Sequence, residues 1–395
     1  DSRSPLERFR TTPKKPLSVT DIVSPAWCEI QYWYTLTKHG RKLRTPAMKQ
    51  GSAVHRILEE QVHTIVPITV QTKEDSWGLK IWNVIQGLRT LRVTGLTREL
   101  EVWGVVEGQV INGIIDELSY TCPDPQLEAE IEAEKDKHSP TKSISPSQQK
   151  IDEYFGTRSR NSTNLNLYQT PPEKRKIYLT DIKTRSRPSL PKGVAFRPTL
   201  MQLMLYRSLL ASLAANTVPA NTIFARYDLN PSTPFTDAFI AEISNLEFNF
   251  SDDAGLNSED RFAPMSSQGD AINELQQHNN LTLLWQLMIQ EFVRTIPSAD
   301  CIGEVLRAEF ILARDQSVLG SKCFAYDEDA LTKYVQDEMK WWRGERKPRG
   351  VEVEEAYKCR VCEFAEDCTW RKEKMEEAIG RQRERRGRLS TGSGV

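Results

Sequence analysis

The stretch "YLTDIKTRSRPSLP", residues 178–191, ends an apolar run with an acid and a lysine two positions apart. Side chains on a strand alternate between faces, so Asp181 and Lys183 point the same way and Ile182 the other. Alone, such a pair is an ordinary surface ion pair that contributes under about 1 kcal/mol. Arg185, Arg187 and two prolines then break the strand and add cations. The pair becomes chemistry only where other segments bring partners to it.

Three segments offer such partners. Upstream, "RELEVWGVVEGQVINGIIDELSY" (98–120) alternates as a hairpin turning near Glu107-Gly108, and its second strand carries Asp116. Further upstream, Val54, Ile57, Leu58, Val62 and Ile65 recur at helical spacing, which places His55 within an amphipathic helix. Downstream, "RPTLMQLMLYRSLLASLAA" reads as a helix on which Gln202 and Tyr206, four apart, share a face. Hairpin, strand and helix can pack as one layered unit. Two carboxylates brought together raise each other's pKa unless a cation sits between them, and Mg²⁺ suits oxygen donors. Such an ion activates water and stabilises charge on a scissile phosphate. Lys183 would orient that water or offset developing charge, with Gln202, Tyr206, Arg185 and Arg187 toward a phosphate backbone. Each residue alone has a plain reading as core or solvated surface; the ordered set is what is specific.

The chain has 395 residues, is 38% hydrophobic and 27% charged, and carries a net charge of −1, the profile of a globular protein with no global field for polyanions. Any nucleic-acid partner must therefore be held by local cations. No apolar run approaches the ~20 residues that cross a bilayer, and the basic opening residues lack a secretory core. A flexible segment is expected over 1–17, one domain over 18–375, and a frayed basic tail over 376–395. Within the domain, the polar stretch 121–176 reads as a disordered insertion and 248–272 as a polar loop.

Seven cysteines in a chain without a secretory signal argue against a disulfide framework. Cys359, Cys362 and Cys368 cluster as C-x2-C-x5-C, one ligand short of four, and Cys28 in "SPAWCEIQYW" is the natural fourth. Zinc is one reading; a distant cysteine plus a tight triplet fits a cubane iron–sulfur cluster at least as well. Either centre clamps the chain's two ends, with a loop-entropy term of about 5–6 kcal/mol by analogy with a cross-link.

Together these motifs resemble the exonuclease V family, single-stranded-DNA exonucleases of the restriction-endonuclease-like superfamily. "GSAVH" is similar to its Gly-x-x-x-His helix, "GIID" to its metal aspartate, "DIKTRSRPSLP" to its Asp/Glu-x-Lys strand and "QLMLY" to its Gln-x-x-x-Tyr helix. The resemblance implies an α/β, PD-(D/E)xK-type nuclease core with a helical N-terminal part and a C-terminal iron–sulfur segment. It implies a four-iron four-sulfur cluster on Cys28, Cys359, Cys362 and Cys368, and Mg²⁺ or Mn²⁺ on His55, Asp116 and Asp181. It further implies a monomer that threads single-stranded DNA from a free end, the 5′ end, in mitochondrial or nuclear DNA maintenance. Channel walls would use Arg41, Lys42, Arg44 and Arg197, with Trp33 and Tyr34 either stacking on bases or packing in the core. The alternatives are a non-catalytic DNA-binding scaffold on a nuclease-like fold, and a zinc-ribbon protein with an unrelated core. No P-loop pattern is present, which argues against a motor within this sequence.

Overall fold

A computed structural model describes residues 2–41, 46–60, 70–138, 175–243 and 268–391. Its centre is a six-stranded mixed sheet flanked by helices, the α/β class expected. Strand β1 is Leu17–Ser18, β2 Leu96–Val106, β3 Gln109–Ser119, β4 Ile177–Arg185, β5 Ile302–Leu312 and β6 Val318–Ala325. The hairpin turns where expected: Glu107 and Gly108 both have positive φ, 50° and 76°, as a two-residue turn matching strand twist requires. β2 covers one edge of β3 along its length. On the other edge β1 pairs at Ile111 and Asn112, and β4 pairs only at Glu117 to Ser119. Residues 113–116 of β3 are thus left in a fork between β1 and β4. β4 then runs parallel to β5 and β5 antiparallel to β6. β4 is buried continuously over residues 177–182, which is why it reads as an unbroken apolar run.

The helices follow their cap signals. Ser18 and Asp21 form a capping box at α2 (Val19–Val23), and Cys28 stands at the start of α3 (Glu29–His39), which Gly40 ends at φ 69°. Helix α4 is Pro46–Glu60, α5 is Lys73–Thr94, α6 is Pro125–His138 and α7 is Arg197–Ala214, which crosses the sheet. Gly104 allows that crossing, since a Cβ there would lie 2.5 Å from Leu209 Cδ2. Trp77, Trp103, Phe224 and Trp285 form the aromatic heart of the core between these helices and β2.

Polar segments depart from expectation. The N-terminal segment carries the capped helix Pro5–Phe9; Phe9 is buried against Trp33 at 6.0 Å, and Arg10 pairs with the buried Asp21 at 2.5 Å. The supposed insertion begins with the helix Pro125–His138, because Ala, Leu, Glu and Lys favour helix however polar the sum, and Glu128 is buried. Its remainder, 139–174, lies outside the described residues. So does most of the polar loop, whose end, from residue 268, opens the helix Gln268–Gln277. The expected frayed tail is the helix Thr369–Thr391, in which Glu377 meets Lys374 at 2.9 Å and Arg381 at 3.6 Å.

Candidate active site and cysteine corner

The fork between β3 and β4 collects the polar residues read from the sequence. Where the ladder stops, the freed Ile182 N–H donates to Asp116 Oδ2 at 2.6 Å, so a carboxylate replaces a strand partner. Asp181, 1% exposed, faces the same space, and Lys183 Nζ donates to its Oδ1 at 2.9 Å. Nζ also lies 2.8 Å from Oδ2, without the alignment of a hydrogen bond, and among the described residues that buried oxygen has no donor.

Helix α4 delivers His55. Val54 and Leu58 pack on Ile182 and Ile311, and Gly51 lies over Thr184, so the helix rests directly on β4 and β5. His55 Nε2 lies 3.0 Å from the Ile182 carbonyl, and Nδ1 lies 2.9 Å from Glu99 Oε1 and 3.7 Å from Asp116 Oδ1. Glu99 reaches it because its backbone is left-handed, φ 52°, which turns it out of the β2 ladder; a non-glycine residue holds such a conformation at about 1–3 kcal/mol.

Helix α7 closes the fork. Gln202 Nε2 donates to Tyr206 Oη at 3.2 Å, and the Ile114 backbone, inside the fork, also hydrogen-bonds Tyr206. Gly113 is the residue that admits this ring, since a Cβ there would stand 2.5 Å from Tyr206 Cε1.

Burial and close charges shift the groups in the fork. Burial, and then the charge of Asp181, pushes Asp116 up to about 7. Burial opposes charge on His55, but the bond to Glu99 and the nearby Asp116 raise it to about 9. Lys183 is raised against its burial by Asp181 and Asp116. His55, Glu99 and Asp116 place donor atoms within 4.8 Å of one another, among the described residues the one such group of three. A hard divalent ion fits these donors and the orphaned Asp181 oxygen. The expected donors His55, Asp116 and Asp181 all border the fork, but the tightest group holds Glu99 where Asp181 was expected, and Asp181 pairs with Lys183. Glu99 is the residue that reading the sequence missed.

The four cysteines meet at the opposite end of the chain's path. Cys28, Cys359, Cys362 and Cys368 line one small cavity with Trp27, Tyr34, Phe364 and Trp370. Trp370 closes it by crossing Gly350, where a Cβ would lie 2.3 Å from its Cγ. Burial pushes Cys28 up to about 11 against a backbone bond from Gln31, and charge on Cys362, Cys368 and Cys359 adds to the push. Four cysteines lining one cavity are a soft donor set that suits a zinc ion or an iron–sulfur cluster. The corner also holds the chain ends together: Arg346 pairs with Glu29 at 2.6 and 2.8 Å, and Ile30 N–H donates to the Arg349 carbonyl.

The residues expected along a DNA path divide. Arg187 and Arg41 are exposed, Arg185 is half-buried, and Lys42 and Arg44 lie outside the described residues. Arg197 is taken by Glu355 at 2.9 Å. Trp33 packs on Phe9, and Tyr34 packs on Phe364 at 5.5 Å with its hydroxyl 3.3 Å from Thr369 Oγ1; both rings are engaged in packing.

Comparison with known proteins bears on the whole of this arrangement. A family profile described as "Exonuclease V - a 5' deoxyribonuclease" matches residues 4–371. The zebrafish (Danio rerio) protein named Exonuclease V is 24% identical over 380 residues, covering 95% of this chain and 74% of its own. Proteins named "Exonuclease V, mitochondrial" from Candida glabrata and Eremothecium gossypii are 24% and 23% identical, covering 91% and 92% of this chain and 80% and 78% of theirs. With a match that takes in the fork, the α7 helix and all four clustered cysteines, the chain belongs to the exonuclease V family of 5′ deoxyribonucleases.

Proposed function

We propose that this deoxyribonuclease hydrolyses single-stranded DNA from a free 5′ end, with a divalent metal at the β3–β4 fork of a restriction-endonuclease-like core. The observation that carries the reading is the buried pair Asp116 and Asp181, with Asp116 lifted to about 7 and Lys183 2.9 Å from Asp181. His55, Glu99, Asp116 and Asp181 would hold Mg²⁺ or Mn²⁺, which supplies an activated water and charge stabilisation at phosphorus. Lys183 then orients that water or offsets charge on the phosphate oxygens. Tyr206 and Gln202 wall the fork and meet the backbone phosphate, and Arg185 and Arg187 extend that contact along the strand. The match to mitochondrial relatives supports action in mitochondrial DNA maintenance; a nuclear role rests on the sequence resemblance alone.

At the cysteine corner we infer a four-iron four-sulfur cluster on Cys28, Cys359, Cys362 and Cys368. Its support is the C-x2-C-x5-C triplet with a distant fourth cysteine, all four lining one largely apolar cavity. Its role is structural.

The test is digestion of linear and covalently circular single-stranded DNA with Mg²⁺, comparing the parent with Asp181→Asn. Loss of the linear form alone, by the parent alone, is expected. Cutting of circles refutes the end requirement, and equal digestion by both proteins refutes the site. Iron and zinc content of anaerobically purified protein tests the corner, where iron is expected and zinc alone overturns the cluster.

A further inference from the structure

Lys358 is a cation buried to 2% exposure, and it sits between two of the clustered cysteines. It adjoins Cys359 in sequence, and its Nζ donates to the Trp27 carbonyl at 3.1 Å, one residue before Cys28, while standing 4.6 Å over the Trp27 ring. Its carboxylate partner is Glu355, at 2.7 Å. The other oxygen of Glu355 accepts from Arg197, the first residue of α7, at 2.9 Å. Among the described residues no side chain caps α7, and its first turn holds no acid. Glu355 is thus the anion that both Lys358 and Arg197 share. The residue just before, Phe196, is pinned against Phe324 at 5.6 Å and Phe310 at 6.4 Å. The start of α7 is therefore fixed at two adjacent points, one in the sheet and one in the cysteine corner. Gln202 follows Arg197 by five residues, about 7.5 Å along the axis.

We propose that Glu355, bridging Lys358 and Arg197, is a positioning residue that couples the cysteine corner to α7 and so sets where Gln202 and Tyr206 stand in the fork. The proposal rests on the nuclease reading of that fork. Arg197 is assigned to this bridge and not to DNA.

The experiment uses the full chain with Arg197→Met, Arg197→Lys, Cys359→Ser and the Arg197→Met/Cys359→Ser double variant. Arg197→Met is expected to lower kcat on linear single-stranded DNA roughly ten- to hundredfold, the scale of small misplacement, with KM little changed. Iron content should stay at the parent level, and Arg197→Lys should recover most of kcat. Amides in the first turn of α7 should exchange faster in both Arg197→Met and Cys359→Ser, and the double variant should be no worse than Cys359→Ser alone. A raised KM with kcat retained would return Arg197 to a DNA-contacting role and overturn the proposal. Unchanged α7 exchange, or additive losses in the double variant, would also overturn it. Failure of the nuclease reading shows separately, as undiminished digestion by Asp181→Asn.

Discussion

The fork and the cysteine corner each gather side chains able to hold a metal from segments far apart in sequence, yet they are built on opposite terms. The fork uses hard donors on regular elements, α4, β2, β3 and β4, and leaves two buried carboxylates in mutual repulsion. The corner uses soft donors on irregular backbone, sealed by aromatic rings and stitched by ion pairs. On the proposed reading, the fold supports the ligands at the fork, and the ligands support the fold at the corner. Loss of a ligand should accordingly cost chemistry in the first case and stability in the second.

The sharpest way to break that contrast is Asp181→Asn. Activity should fall on the order of a thousandfold or more, while the melting temperature stays level or rises because a buried repulsion is relieved. A parallel drop in melting temperature would erase the distinction between the two regions. Cys28→Ser probes the other side. Bound iron and melting temperature should fall together, with a stability loss of up to about 5–6 kcal/mol if the loop-closure term is fully lost. Unchanged metal content and an unchanged melt would remove Cys28 from the ligand set.

Glu99→Gln should be milder, raising the Mg²⁺ or Mn²⁺ needed for half-maximal digestion about ten- to a hundredfold with a near-parental rate at saturation. No shift in the metal titration would leave Glu99 an orienting partner of His55 only. The smallest effect is expected at Glu338, buried near the corner at 3% exposure. Burial, then the charge of Glu29, holds its carboxyl well above the ordinary carboxylate range. A group whose folded pKa is raised stabilises fully below its unfolded value and loses that contribution as pH rises through the folded one. Glu338→Gln should therefore gain in melting temperature over the parent at pH 8 and show little gain at pH 5. A constant difference across that range would show that Glu338 stays charged.

Much of this architecture is legible in local pattern. The hairpin, β4, α4 and α7 announce themselves because each shows its own periodicity and its own cap or turn. Glu99 was legible too: it is the eighth residue before Glu107, as Asp116 is the eighth after Gly108, so a turn at those two residues sets the pair opposite one another. What hid it was the left-handed backbone that swings it from the ladder toward His55. The helices Pro125–His138 and Thr369–Thr391 read as coil because their polarity outweighed their helix-forming composition. Arg197 reads as a DNA contact, and Tyr34 as either a base-stacking or a core ring, because nothing local announces a partner more than a hundred residues away.

The corner also carries a consequence for the order of synthesis. Cys28 leaves the ribosome about 330 residues ahead of Cys359, and at roughly 5–20 residues per second that is on the order of 15–65 s. Trp27, Cys28 and Glu29 must wait through that interval for Lys358, Cys359 and Arg346. The sheet can pair and α7 can dock before then, but the corner closes last. A chain cut short between Tyr206 and Glu355 would hold every polar residue of the fork and still lack the partner of Arg197 at the start of α7.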